Sequence, residues 1–219
     1  MAFQQAPLLY CAIGDSLTVG VGTDLFSPGF VGRYHQSLEQ TLKHPVVVKK
    51  IARNGATSAD ILNAVKLPLH QEFIQSSEVI TLTSGANDLI QAGERFLIEK
   101  NVSLLFQAMN TAIENIEKII ECLHSYHLAK SHPFILRLQN LYNPFSQFPE
   151  ADQWIEQFNA RLLAHTTYPN TKLADIHTAF EGKQNQLLVP GGVHPNDKGY
   201  EVIANTLTDL GFDPLIPIA

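Results

Sequence analysis

Charged residues, cysteine and long apolar runs are all scarce in this sequence. Lysine, arginine, aspartate and glutamate make up 16% of the 219 residues, and the formal net charge is -6. Proteins that bind polyanions usually carry a basic surface, so this composition argues against a nucleic-acid partner. Cys11 lies in an apolar run and Cys122 in a helical pattern, which favours buried free thiols and a reducing compartment over a disulfide.

The apolar runs are too short to cross a membrane or to form the core of a signal peptide. The first run, residues 8–13, is brief, and no lysine or arginine precedes it. The apolar C-terminal stretch, residues 212–219, contains two prolines and is followed by no lipidation motif. We expect this stretch to dock on the domain, with an exposed interaction segment as the alternative. These features predict a cytoplasmic protein without a membrane span.

Short apolar runs alternate with longer helical patterns, and neither a composition break nor a repeat divides the chain. The predicted strands are residues 8–13, 46–51, 79–83, 134–138 and 173–176. The predicted helices are residues 31–42, 58–65, 102–127, 152–165 and 197–210. Strand then helix, repeated about five times, predicts a single α/β domain over residues 1–219. Its sheet should be parallel, of roughly five strands, and covered by helices on both faces as a three-layer α/β/α sandwich.

The residues that follow the predicted strands carry chemically useful groups, and ligands of such sheets bind at the carboxyl ends of the strands. Residues 14–17 read Gly-Asp-Ser-Leu, residues 53–57 read Arg-Asn-Gly-Ala-Thr, and residues 84–88 read Ser-Gly-Ala-Asn-Asp. Before the last helix, residues 191–197 read Gly-Gly-Val-His-Pro-Asn-Asp. Together they offer a hydroxyl nucleophile, backbone donors at glycine turns, a side-chain amide and an imidazole base, which acyl transfer needs.

In this order the four segments resemble the signature blocks of the GDSL or SGNH hydrolases, a family named for its Ser, Gly, Asn and His. The resemblance implies a flavodoxin-like fold, with Ser16 as the nucleophile and His194 as the general base. It also implies an oxyanion hole made of the backbone amides of Ser16 and Gly55 and the side chain of Asn87. The implied activity is hydrolysis of a small-molecule carboxylic ester, an acyl or acetyl ester, through an acyl-enzyme and without a cofactor.

Most of these residues also have a structural explanation. Ser16 could cap the following helix, Gly55 could be a turn glycine with positive φ, and Asn87 could be a turn residue. We assign Asp15 and Asp88 to loop structure, because an aspartate in such a turn most often hydrogen-bonds the local backbone.

His194 stands out among the nine histidines by its context. It precedes Pro195, which disfavours a helical conformation, and Asp197 then resembles the N-cap of the final helix. The imidazole is therefore expected in a loop at the rim of the sheet. Of the other histidines, only His124 and His127 are spaced to share a helix face, and we predict no metal site.

One position departs from the family pattern, because Gly191 stands where most members have an aspartate three residues before the histidine. That aspartate orients the imidazole and stabilises the imidazolium. A backbone carbonyl of residues 190–192 could replace it in a Ser-His dyad, which is the explanation that we favour. Asp175 or Asp197 could instead supply the carboxylate. The third alternative is a catalytically weak or inactive protein that uses the pocket for binding.

A nucleotide-binding domain would share the alternating pattern, and Gly20 and Gly22 suggest a glycine-rich loop. However, Leu25 occupies the place of the third glycine of G-x-G-x-x-G, and no Gly-Lys-Ser/Thr follows the first strand. We therefore favour the hydrolase.

The substrate is less constrained by the sequence than the reaction. Residues 89–100 and 140–154 follow the third and fourth strands and should line or cover the cleft. Phe145, Phe148 and Trp154 could form an apolar acyl pocket or could anchor their own loop to the core. Short-chain esters are the default substrates, with thioesters, acetylated sugars and lysophospholipids as alternatives.

Overall fold

The centre of the molecule is a five-stranded sheet in which every strand runs parallel to its neighbours. The computed structural model describes residues 6–128, 133–145 and 147–215. The strand order is β2-β1-β3-β4-β5, which is the order of flavodoxin-like sheets and confirms the predicted fold class. The strands are β1 (Leu8–Gly14), β2 (Val46–Ala52), β3 (Val79–Leu82), β4 (Ile135–Gln139) and β5 (Thr171–Ala174).

Helices connect the strands and cover both faces of the sheet. They are α1 (Ser16–Val19), α2 (Gly29–Leu42), α3 (Ser58–Lys66), α4 (Pro68–Ser76), α5 (Ala86–Glu99), α6 (Ser103–His127), α7 (Pro149–Leu163), α8 (Ile176–Phe180), α9 (Gln184–Leu187) and α10 (Asp197–Asp209). A 3-10 turn, Ala164–Thr167, follows α7. Among the described residues, no helix is both long and apolar enough to cross a membrane.

Two apolar clusters form the core, one on each face of the sheet. Along β1, Cys11 and Ile13 join the cluster that contains α3, α4, α6 and α7. Tyr10 and Ala12 join the opposite cluster, which contains α2, α8 and α10. Because successive side chains of a strand point to opposite faces, a strand covered on both sides is apolar at most of its positions. This requirement explains the unbroken apolar runs and the low charge of the sequence.

The structure differs from the prediction in the place of the fifth strand and in helices that the sequence did not predict, among them α4, α5, α8 and α9. The fifth strand was expected at residues 173–176, but β5 begins earlier and ends at Ala174. The carboxylate of Asp175 accepts a hydrogen bond from the Thr178 N–H at 3.1 Å, so it caps α8 and turns the chain out of the sheet. Residues 89–100, expected only to line the cleft, lie largely within α5, which buries one residue, Ala92.

The C-terminal segment packs on the domain as far as the structure describes it. Phe212 is buried, and its ring centroid lies 5.8 Å from that of Tyr34 on α2. Leu215 packs against the same cluster. Residues 216–219, the last part of the stretch expected to dock, lie outside the described residues.

Candidate active site

Ser16 and His194 meet at the carboxyl edge of the sheet. The Oγ atom of Ser16 lies 2.9 Å from Nε2 of His194, although 178 residues separate them. A hydroxyl at this distance from an imidazole nitrogen can transfer its proton to the ring. The carboxylate of Asp15 caps α1 by accepting from the Leu17 N–H at 3.0 Å, so the Ser16 hydroxyl is not the cap. The structure thus brings the predicted nucleophile and base together.

The loops that carry Gly55 and Asn87 flank the loop of Ser16, because β1 lies between β2 and β3. Gly55 has a φ of +75°, which favours glycine, and nothing lies within 4 Å of the position that a Cβ would take. Nδ2 of Asn87 donates to the Ala56 carbonyl at 2.8 Å, which ties the two loops together. An amide nitrogen carries two hydrogens, so one N–H of Asn87 stays available to a ligand.

The backbone N–H groups of Ser16 and Gly55 make no hydrogen bond within the described residues. Like the second N–H of Asn87, they are thus not engaged by another group of the described residues. Asp88 has a different environment, since its carboxylate accepts from the backbone N–H of Ser58 at 2.8 Å and from its hydroxyl at 2.7 Å. Those bonds agree with the expected role of Asp88 in loop structure.

The turn at Gly22 packs directly against the His194 loop. Gly22 has a φ of +99°, and an added Cβ would lie 2.5 Å from the Pro195 carbonyl oxygen and 3.1 Å from Cβ of His194. Only glycine permits both this conformation and this approach. The glycine that suggested a phosphate-binding loop thus lets two loops of the site touch.

The predicted N-cap of the final helix, Asp197, is wrong by one residue. The side chain of Asn196, one residue before Asp197, caps α10 by accepting from the Gly199 N–H at 3.1 Å. Asp197 is the first residue of the helix, and its carboxylate lies 3.8 Å from the guanidinium of Arg33.

The two candidates for a substitute acid make contacts elsewhere. Asp175 accepts from the Asn140 side chain at 2.8 Å and caps α8, while Asp197 faces Arg33. Within the described residues, the His194 ring makes one hydrogen bond, to Ser16, and none to a carbonyl of residues 190–192. Gly191 is exposed, and the position of an added Cβ there is open space.

Asp15 is the carboxylate whose charge acts on the His194 ring. It is 2% exposed and accepts from the Thr83 hydroxyl at 2.9 Å. Burial raises the pKa of Asp15 from its usual value, and its hydrogen bonds and the nearby imidazole counteract this only in part. Burial lowers the pKa of His194, and the Asp15 charge opposes that shift. The sequence interpretation gave Asp15 a structural role alone, although its position next to Ser16 was a signal for an electrostatic one.

The histidine pair on α6 serves packing. His127 is buried, hydrogen-bonds the Leu123 and Ser77 carbonyls, and stacks on Phe134 at 3.8 Å. His124 contacts the Thr171 hydroxyl at 3.0 Å. Over the described part of the chain, no group of three or more histidine, cysteine or acidic residues is arranged to hold a metal ion.

The aromatic residues expected near the cleft have different environments. Trp154 packs against the core, and its ring centroid lies 4.6 Å from that of Phe106 in an edge-to-face arrangement. Phe148, at the N-terminus of α7, is 56% exposed. Trp154 therefore anchors its segment to α6, whereas the Phe148 ring is largely exposed to solvent.

A parallel α/β sheet that carries a serine–imidazole pair at its carboxyl edge is an arrangement found in serine hydrolases. Residues 12–202 match the model of the GDSL-like lipase/acylhydrolase family. The chain therefore belongs to this family, and the predicted enzyme class, an ester hydrolase of the GDSL type, is confirmed at the level of the family.

Named relatives agree with this assignment. The chain is 36% identical to the spore germination lipase LipC of Bacillus licheniformis over 208 residues, which are 95% of this chain and 98% of the relative. The crystal structure of the lipase Lip_vut3 from a goat rumen metagenome is also 36% identical, with a TM-score of 0.91 over 95% of this chain and 99% of the other. The acetylxylan esterase Axe2 of Geobacillus stearothermophilus shares the fold, with a TM-score of 0.71 and 16% identity over 99% of this chain and 100% of the other.

Proposed function

We propose that the protein is a serine esterase that cleaves acyl esters through an acyl-enzyme on Ser16, with His194 as the general base. The observation that carries the proposal is the 2.9 Å contact between Ser16 Oγ and His194 Nε2. The free N–H groups beside this pair support it, because acyl transfer needs donors where the carbonyl oxygen becomes negative.

The reaction follows from this geometry in two halves. His194 Nε2 takes the Ser16 proton while Oγ bonds to the carbonyl carbon, and the N–H groups of Ser16, Gly55 and Asn87 stabilise the resulting oxyanion. The imidazolium then gives its proton to the leaving alkoxide as the carbon–oxygen bond breaks. In the second half, His194 deprotonates a water molecule, which attacks the acyl-enzyme, and Ser16 recovers its proton as the acid is released.

The buried carboxylate of Asp15 contributes electrostatically to both halves. Its negative charge favours the protonated ring, since the interaction raises the pKa of His194 against the effect of burial. Asp15 acts at a distance, because its carboxylate hydrogen-bonds Leu17 and Thr83. In this proposal it supplies part of the imidazolium stabilisation that a triad aspartate supplies elsewhere.

The substrate class that we propose is short-chain carboxylic esters, including acetyl esters. The relatives named above include two lipases and an acetylxylan esterase. The candidate substrates to be tested are therefore acyl esters of lipids and of sugars.

The proposal is tested on the unmodified protein with p-nitrophenyl acetate, p-nitrophenyl butyrate and a fluorophosphonate probe. We expect saturable hydrolysis of at least one ester and about one phosphonate per chain, since only an activated serine reacts readily with the probe. Mass spectrometry of the digested adduct should locate the label on Ser16. Heat-denatured protein serves as the control and should remain unlabelled. Absence of both hydrolysis and labelling would favour the alternative. In that case the protein is an inactive binding protein, because Gly191 stands where the family has the triad aspartate.

The pH dependence of kcat/KM should reflect the lowered pKa of His194. The base must be neutral, so activity falls only when the pH drops below the pKa of the ring. Because burial lowers this pKa from 6.5, the half-maximal value of kcat/KM on the acid side is expected below pH 6.5. A pH profile with p-nitrophenyl butyrate measures it, and a midpoint above 6.5 contradicts the expectation. In Asp15→Asn the midpoint should move lower still, because the negative charge that raises the pKa of His194 is removed.

A further inference from the structure

The His194 ring is held against Ser16 with little help from its own hydrogen bonds. Its one bond within the described residues goes to Ser16, so rotation of the ring is not limited by an acceptor on Nδ1. In a triad, the aspartate on that nitrogen orients the ring. Here the position of the ring must be set through the backbone of the loop that carries it.

The backbone before His194 has a rigid support. The hydroxyl of Tyr142 donates to the carbonyl oxygen of Val193, the preceding residue, at 2.6 Å. Tyr142 is 9% exposed, and its ring stacks on Phe180 with centroids 4.6 Å apart and planes 22° apart. Burial raises the pKa of Tyr142 well above its ordinary value, so the hydroxyl stays a donor over the working pH range.

The backbone of Tyr142 is itself fixed from α7. The side chain of Asn159 accepts from the Leu141 N–H at 2.9 Å and donates to the Leu141 carbonyl at 2.8 Å. Both polar groups of the preceding residue are thereby held. The support therefore runs from a packed helix through the Tyr142 ring to the His194 loop.

A second contact to the His194 loop comes from the turn at Gly22. That turn lies so close to Pro195 and His194 that a Cβ at Gly22 would collide with the Pro195 carbonyl oxygen. The hydroxyl of Tyr200 on α10 holds the turn by donating to the Val21 carbonyl at 2.7 Å. The loop of His194 thus has two supports, the Tyr142 hydroxyl and the turn at Gly22.

We propose that Tyr142 is a positioning residue, which holds His194 in reach of Ser16 through the Val193 carbonyl and so replaces the orienting function of the missing triad aspartate. This inference rests on the proposed function, because it concerns the rate at which the same pair reacts. A misplacement of the base by about 1 Å can slow such a reaction on the order of a hundredfold.

Tyr142→Phe removes the hydroxyl and keeps the ring that stacks on Phe180. We expect kcat to fall about tenfold with little change in KM, because substrate contacts are untouched while the base is misplaced. The rate of fluorophosphonate labelling should fall by a similar factor, yet the final label should still reach about one per chain. This combination separates positioning from a structural role, which would lower the fraction of labelled chains at an unchanged rate.

Tyr10→Phe is the matched control. Tyr10 is also a buried tyrosine of the same apolar cluster, and its hydroxyl lies 2.9 Å from the Thr81 hydroxyl. The variant loses one buried hydroxyl without touching the His194 loop. We expect unchanged kcat, KM and labelling rate in this variant.

A readout that does not depend on turnover separates this inference from the proposed function. NMR of imidazole-labelled protein should give one sharp set of His194 ring signals in the unmodified chain and in Tyr10→Phe, and shifted or exchange-broadened signals in Tyr142→Phe. If the unmodified chain neither hydrolyses esters nor takes the probe, the proposed function fails, while the NMR comparison still decides the placement of His194. Unchanged His194 signals together with an unchanged kcat in Tyr142→Phe would overturn the inference alone.

Discussion

Ser16→Ala is expected to lower kcat/KM for p-nitrophenyl butyrate by about a thousandfold or more, because no oxygen remains to form the acyl-enzyme. The loss should lie in chemistry rather than in folding. Asp15 caps α1, and Ser16 is 6% exposed, with His194 as the one hydrogen-bond partner of its hydroxyl in the described part of the chain. Circular dichroism should therefore show an unchanged spectrum and a similar melting temperature.

His194→Ala should cause a loss of similar size, and the double variant should be no slower than either single one. Residues that act as one unit give strongly non-additive losses, since removing either member disables the same step. The control is Ser76→Ala, which removes an exposed hydroxyl at the end of α4 that donates to the Glu72 carbonyl. Losses that multiply in the double variant would show that Ser16 and His194 act independently and would contradict the mechanism.

Asn87→Ala is expected to lower kcat about a hundredfold with little change in KM. One oxyanion donor typically contributes on this order to turnover, because it interacts with charge that develops only in the transition state. The variant also loses the 2.8 Å bond to the Ala56 carbonyl, so the melting temperature should fall slightly. Steady-state kinetics with both p-nitrophenyl esters measures the effect.

Asn110→Ala provides the comparison for Asn87. It removes a side-chain amide on α6 whose oxygen accepts from Arg161 at the surface. We expect its kcat to equal that of the unmodified protein. A loss of less than about threefold in Asn87→Ala would mean that its amide does not face the developing charge, and the oxyanion hole would then need another donor.

Most strands, and the residues that follow them in the chain, were predictable because they depend on local sequence. A strand buried on both faces is mostly apolar. β1 is apolar along its whole length, and β3 departs only at Thr81. β2 and β4 still begin with apolar runs, although β2 includes Lys49 and Lys50 and β4 includes Arg137 and Gln139. The edge strand β5 was misplaced because it begins with Thr171 and Lys172, which gave no apolar signal. The helix α5 was expected only as a segment at the cleft, and its apolar side chains remain mostly outside the core, since only Ala92 is buried.

The supports of the site could not be predicted in the same way. The sequence showed that the triad aspartate is replaced by Gly191. It could not show which groups hold His194 in the place of that aspartate. The contact between the Tyr142 hydroxyl and the Val193 carbonyl joins residues 51 positions apart and ends on a backbone atom. Backbone acceptors leave no residue-type signature, so such a contact is visible only in three dimensions. The effect of Asp15 on the ring likewise depends on its burial, which a single sequence does not report.

The 178-residue separation of Ser16 and His194 has a consequence for the order in which activity arises during synthesis. Domains fold as the chain emerges from its N-terminus, so Ser16, Gly55 and Asn87 are made well before the loop that carries the base. A nascent chain that ends before residue 194 holds the Ser16 hydroxyl and the amide donors but lacks His194, the proposed base for that hydroxyl. Under the proposed mechanism, hydrolysis is therefore expected to begin only after the loop of His194 and the following α10, which packs against α2, have joined the domain.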